Sequence, residues 1–144
     1  MRKTIFAFAS VLIILVSFGC NKDKDDNKVS IVGTWTLQSQ TTKSYVGTST
    51  DPTDTDNYDP STDGVSTVTF NADGTLTSVS DGETDNGTYT YDANNKKLTL
   101  TQDIITLPYT VTTLTSSNLV LHGEYSYPVD NVTYKTVIDA SLKR

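Results

Sequence analysis

The 144-residue chain has one cysteine (Cys20), one histidine (His122) and one tryptophan (Trp35), and its only methionine is Met1. A single cysteine excludes an intrachain disulfide and any Cys-x-x-Cys redox or zinc motif. A single histidine leaves a hydrolytic metal centre short of the two or three convergent ligands it needs. Alanine and glutamate nearly vanish after residue 28, leaving Ala72, Ala93, Ala140, Glu83 and Glu124, so the best helix formers are missing. From Ser44 to Asn95 there is no lysine or arginine while acids accumulate, and that region must present a negative face. With 17 acids against 11 bases, a formal charge of −6, the chain repels a phosphate backbone, so no nucleic-acid partner is expected. The length, with 35% hydrophobic and 19% charged residues, suits one compact domain and not a multidomain enzyme. H-E-x-x-H, Walker A and Gly-x-Ser-x-Gly motifs are all missing. The expectation is a non-enzymatic protein with no cofactor and no metal.

What is present begins with an address. Met1-Arg2-Lys3 is positive, Ile5 to Phe18 is uncharged and mostly apolar, and Gly19-Cys20 closes the run before Asn21-Lys22-Asp23-Lys24-Asp25-Asp26. The apolar run falls short of the roughly 20 residues of a bilayer span, so residues 1–19 read as a cleaved secretory signal. Ser17-Phe18-Gly19-Cys20 resembles a bacterial lipobox, with Ser17 where Leu is usual and Phe18 where a small residue is usual. The resemblance implies that the Cys20 thiol receives diacylglycerol and becomes the new N-terminus; the alternative is an ordinary signal peptide with an incidental cysteine. Fatty chains such as palmitate, at about 0.8 kcal/mol per buried CH₂, would then make the membrane a partner through the N-terminal lipid. Residues 20–28 form an acidic tether, and Lys24-Asp25-Asp26 resembles the surface-export tag of Bacteroidetes lipoproteins, which implies a cell-surface place on the bacterial outer membrane. The same residues also suit a solvated spacer. Loss of Arg2 and Lys3 leaves nine bases against 17 acids, a formal −8, so anionic headgroups repel the domain and the lipid must do the anchoring.

From residue 29 the dominant residues are Thr, Val, Ile and Tyr, which favour a pleated surface. Alternation at period two runs through Ile31, Gly33, Trp35 and Leu37, through Val68 and Phe70, Tyr89 and Tyr91, Leu98 and Leu100, and through Ile105, Leu107, Tyr109 and Val111. Pro108 on the polar phase of the longest run predicts an edge, bend or bulge. Asn71-Ala72-Asp73-Gly74, Asp81-Gly82, Asp92-Ala93-Asn94-Asn95 and Ser116-Ser117-Asn118 supply turns at hairpin spacing. Strands are predicted near 31–39, 65–71, 74–80, 86–92, 97–102, 104–113, 118–126 and 132–140. The fold class is all-β: an antiparallel, eight-stranded up-and-down barrel or near-barrel over residues 29–144. Residues 41–63 have no strand pattern and read as a long acidic loop over the barrel mouth.

Gly33-Thr34-Trp35, then Thr69-Phe70-Asn71-Ala72-Asp73-Gly74-Thr75 and Gly87-Thr88-Tyr89, resemble the small lipocalin-like lipoproteins of Bacteroidetes across roughly residues 30–140. The resemblance implies a lipocalin-like barrel with Gly33 and Trp35 at its closed base. Larger lipocalins add a helix after the barrel and an Arg packed on the first-strand Trp, whereas this chain ends at Leu142-Lys143-Arg144.

Candidate ligand contacts are Tyr45 and Tyr58 in the acidic loop and Tyr125 and Tyr127 on one strand face, which equally suit packing on a sheet. His122 and Glu124 share a strand face, as a surface pair or as two ligands of a metal. Asp51, Asp54, Asp56, Asp59 and Asp63 read as a solvated loop or a weak calcium site; they miss EF-hand spacing, because Tyr58 stands at the next ligand position and no Gly follows it. Bulky inward candidates such as Phe70, Tyr89 and Leu107 favour a nearly filled interior. Two functions follow: a binding module for a small apolar molecule or glycan fragment, or an envelope structural protein whose full barrel docks an unknown protein partner. The address is tested directly: the wild-type protein is expected to incorporate radiolabelled palmitate in a bacterial host, and Cys20→Ala to abolish the label.

Overall fold

The structure, a computed structural model, describes residues 29–144; the signal, Cys20 and the acidic tether lie outside the described residues. Nine strands form: β1 (Gly33–Val46), β2 (Asp54–Tyr58), β3 (Thr67–Phe70), β4 (Thr75–Ser80), β5 (Glu83–Asp92), β6 (Lys97–Gln102), β7 (Ile105–Leu114), β8 (Asn118–Val129) and β9 (Val132–Lys143). From β3 to β9 each strand pairs antiparallel with the next, β3 pairs β1, and β1 pairs β9. The circuit closes as the expected antiparallel eight-stranded barrel, with one extra strand.

That strand corrects the expectation for residues 41–63. Thr41 to Val46 continue β1, and Asp54–Tyr58 return along it as β2, with Gln40 opposite Tyr58 and Ser44 opposite Asp54. One edge of β1 thus holds β3 through Gly33–Thr36 and then β2 through Gln40–Ser44, while the other edge holds β9. The segment lacks apolar alternation because it extends past the core, where no side chain needs burial. Its backbone still gains ladder bonds, such as Thr53 N to Ser44 O at 2.7 Å next to the hairpin.

Inside, Trp35, Phe70, Leu98, Val111 and Leu119 are fully buried and pack with Ile31, Leu76, Leu121, Ala140 and Leu142. The turns carry the expected chemistry. Gly74, at φ +86°, closes the Asn71–Gly74 turn, and Asp130 and Asn131, at φ +47° and +67°, make the two-residue link between β8 and β9. Ile105 departs from its predicted inward place. It is 60% exposed beside the 97% exposed Ile104, because the β6–β7 hairpin projects beyond the core.

The barrel wall is split between β7 and β8, and proline explains where. Val111 N donates to Lys96 O at 2.8 Å, so odd-numbered residues in this part of β7 face β6 and even-numbered ones face β8. Pairing with β8 runs from Leu114 back to Thr110–His122 and Tyr109–Gly123 and then stops. The next bonded rung would need an N–H from Pro108, which has none. On the other lip, Gly47 N donates to Thr133 O at 2.8 Å, so even-numbered β9 residues face β8, and Glu124, Ser126 and Pro128 point their backbone groups at the opening. Each free lip therefore carries a proline where an N–H would invite a new strand. Pro108→Thr is expected to extend the β7–β8 ladder and stabilise the fold by about 0.5–1.5 kcal/mol per added bond. Slower amide hydrogen exchange at Glu124 and Ser126 would register it; unchanged exchange would contradict it.

Candidate functional site

The two ends of the barrel differ. At the closed end Trp35 has no exposed surface, and its Nε1 donates to Ile31 O at 2.7 Å. Arg144 corrects the expectation that nothing packs on this ring: its guanidinium carbon lies 4.3 Å from the Trp35 ring centroid. Pairing of Thr36 with Lys143 delivers it there. The same guanidinium donates to Ser116 O (2.7 Å), Val32 O (2.8 Å) and Ser30 O (3.2 Å), tying both ends of the described chain to the β7–β8 turn. Gly33, at φ +132°, leaves the room it needs, since a Cβ there would meet Arg144 Nη1 at 2.9 Å.

The opposite end is open and holds a cavity of about 190 Å³. Val68, Phe70, Leu76, Leu121 and Leu142 give it apolar walls, and Gln40, Ser66, Ser78, Ser80, Gln102 and Tyr109 contribute its polar groups. Gln102 Nε2 donates to Ser78 Oγ at 2.9 Å, and the Ser66 and Ser80 hydroxyls bond each other at 2.9 Å, so most of these groups are satisfied without a ligand. The space exists because small residues interrupt the bulky inward set: Ala140 on β9 and Ser78 on β4. A cavity of about 150 Å³ lined by apolar side chains suffices for a benzene-sized guest, so this one suits a single ring or short alkyl chain.

Gly123 on β8 seats Tyr109. A Cβ on Gly123 would lie 2.8 Å from Cδ1 and Cε1 of Tyr109, its cross-strand partner, so the ring lies flat over the glycine at the top of the split. Burial, and secondarily the neighbouring Tyr125 phenol, push the Tyr109 hydroxyl above its ordinary value of 10.0. Next to the cavity lies a groove of about 400 Å³ that shares Leu100, Gln102 and Tyr109 with it and adds Asp85, Asp103, Ile105 and Leu107.

A family model described as a lipocalin-like domain matches residues 31–121, more than half of the chain. The chain belongs to the lipocalin-like domain family. No curated protein and no solved structure matches it. A lipocalin-like barrel is in general a binding fold, which fits an open end holding a cavity with satisfied polar groups.

In this lipocalin-like domain the four candidate tyrosines do not converge. Tyr125 shares the inward phase of Gly123 and lies close enough to Tyr109 to affect its proton. Tyr127, one step further out, stacks on Tyr134 with centroids 5.6 Å apart and planes at 13°. Tyr58 spends its hydroxyl on the backbone, donating to Gly64 O at 2.6 Å and accepting from Ser66 N at 3.1 Å, and so folds the 59–64 turn against the rim. Tyr45 stands on the outer face because β1 continues through it, and Lys135 Nζ lies 4.6 Å over its ring. His122 and Glu124 occupy that outer face too, paired respectively with Asp139 (2.7 Å) and Lys135 (3.9 Å). Among the described residues no group of three or more His, Cys, Asp or Glu could hold a metal ion.

Sequence reasoning missed Ala140, Gln102 and Ser78. Nothing local marks them, since inward position becomes visible only through cross-strand register. Tyr109 supplies a pH test with a definite sign. Above pH 10 the unfolded phenol ionises while the folded one keeps its proton, so stability is full below pH 10 and falls as pH rises through the higher folded value. Urea midpoints between pH 9 and 11 are expected to drop more steeply for the wild type than for Tyr109→Phe.

Proposed function

We propose that this lipocalin-like domain is a non-enzymatic binding module, anchored through lipid on Cys20 to a bacterial outer membrane and exposed at the cell surface. Its ligand is a small apolar molecule held at the open end of the barrel. The observation that carries this is the apolar cavity of about 190 Å³, reached from the mouth and rimmed by hydroxyl and amide groups. Burial of ligand surface at about 25 cal/mol per Å² supplies the affinity. Tyr109 and Gln102 orient what enters. The apolar walls favour this ligand over a glycan fragment.

The lipid anchor rests on the lipobox-like junction and on geometry that suits it. Val29, where the described chain begins, lines the closed end together with Ala72, Ala93 and Tyr91. A tether leaving there holds the mouth on the side of the barrel away from the membrane.

One observation favours the second function, an envelope protein that docks a partner. Val46, Tyr134 and Tyr127 lie in one cross-strand row beyond the core, with Val129 and Val132 next to them, and all but Tyr134 are exposed.

Native mass spectrometry of the full-length protein, after incubation with a lipid extract of a bacterial envelope, separates the two. A reproducible small added mass that Ala140→Phe abolishes, by filling the cavity, is the expected result. No added mass, with the exposed row protected in the presence of envelope proteins, would favour docking.

A further inference from the structure

The cavity and the groove adjoin one another and differ in chemistry. The inner part is walled by Val68, Phe70, Leu76 and Leu121; the outer part carries Asp85 and Asp103 beside Ile105 and Leu107. Leu100, Gln102 and Tyr109 line both and stand at their common boundary. We propose that the cavity and the groove act together as one site for a cationic amphiphile, an amine-bearing molecule whose apolar ring or short chain fills the cavity while its ammonium group sits in the groove between Asp85 and Asp103. The proposal rests on the binding function above and adds the charge of the ligand.

Charge complementarity carries it. No lysine or arginine lines either part of the space. The described bases lie elsewhere: Lys96, Lys143 and Arg144 are at the closed end, Lys97 bonds Thr110 on the outer face, and Lys43 and Lys135 alternate to that same face. Among the described residues the two ion pairs, His122–Asp139 and Lys135–Glu124, both lie outside the barrel, and no described lysine or arginine pairs with Asp85 or Asp103. Other acids at this end, Asp54 and Asp56 on β2 and Glu83 beside the β4–β5 turn, have the same sign. A fatty acid or other carboxylate would meet uncompensated negative potential at the mouth, while an ammonium group gains from it. Tyr109, which lines both the cavity and the groove, adds the attraction of an aromatic ring for a cation.

The test uses three probes of one shape: 4-phenylbutylamine, 4-phenylbutanol and 4-phenylbutanoate, titrated against the full-length protein by NMR and calorimetry. The amine is expected to bind about five- to tenfold more tightly than the alcohol at low ionic strength, and the carboxylate more weakly than either. The difference should shrink at 0.5 M salt, where exposed charges are screened. Asp85→Asn with Asp103→Asn is expected to bring the amine down to the alcohol's affinity and leave the alcohol unchanged. If the carboxylate binds as well as the amine, or if the double variant leaves the preference intact, the charge assignment is overturned while the cavity stands. If none of the three binds, the cavity is not a ligand site and both proposals fall.

Discussion

Pairing of the first barrel strand with the last is the constraint on which the rest of this molecule depends. β1 meets β9 from Thr36–Lys143 to Val46–Tyr134, with a single register shift between Leu37 and Ser39. That ladder removes the edges an eight-stranded open sheet would expose. It also sets what sits at each end. Register at Thr36–Lys143 delivers Arg144 to Trp35, which seals the base. The shift after Leu37 passes the inward phase to Gln40, which reaches the cavity, and sends Tyr45 outside. Closure depends on contacts between residues about a hundred positions apart, so it is expected to form late and slowly.

The two ends then diverge in packing. Toward the base, Trp35, Phe70, Leu98 and Leu119 fill the interior with no exposed surface to speak of. Toward the mouth the inward positions turn small or polar, at Ala140, Gly123, Ser78 and Gln102, and the wall opens between β7 and β8. Pro108 ends one ladder, and Pro128 withholds an N–H from the other lip. The prolines therefore limit strand addition at the opening, where the free backbone groups include those of Glu124 and Ser126. The aspartates of the mouth and the bases of the closed end give the domain an electrical direction along its axis, with the negative pole around the cavity entrance.

Much of this was legible in the sequence, because period-two alternation and turn chemistry are local signals. Leu98–Leu100 and the Asn71–Gly74 turn announce their strands without help from the rest of the chain. Pro108 announced an edge for a reason that held: its missing N–H is the rung at which pairing with β8 stops. The failures are non-local. Asp54–Tyr58 has no strand pattern of its own, since β2 is held by ladder bonds to a polar stretch of β1 and buries almost nothing. Ile105 keeps the inward phase but lies past the core on a projecting hairpin. Arg144 looks like a solvated last residue until β1–β9 pairing brings it over Trp35. The candidate tyrosines were chosen from loop placement and a shared strand face. With the strand register in place, Tyr125 lies near Tyr109, Tyr58 becomes a brace, Tyr127 stacks on Tyr134, and Tyr45 faces away.

The central claim is that a closed barrel keeps an apolar-walled, ligand-sized void at one end. The most direct measurement is an NMR experiment on the ¹³C-labelled protein saturated with benzene, read as nuclear Overhauser contacts between the guest and protein side chains. Contacts confined to Val68, Phe70, Leu76, Leu121 and Ala140, with cross-strand contacts between β1 and β9 intact, are the predicted result. Benzene contacts only with the exposed Val46, Tyr127 and Val129 row, or none at all, would contradict it.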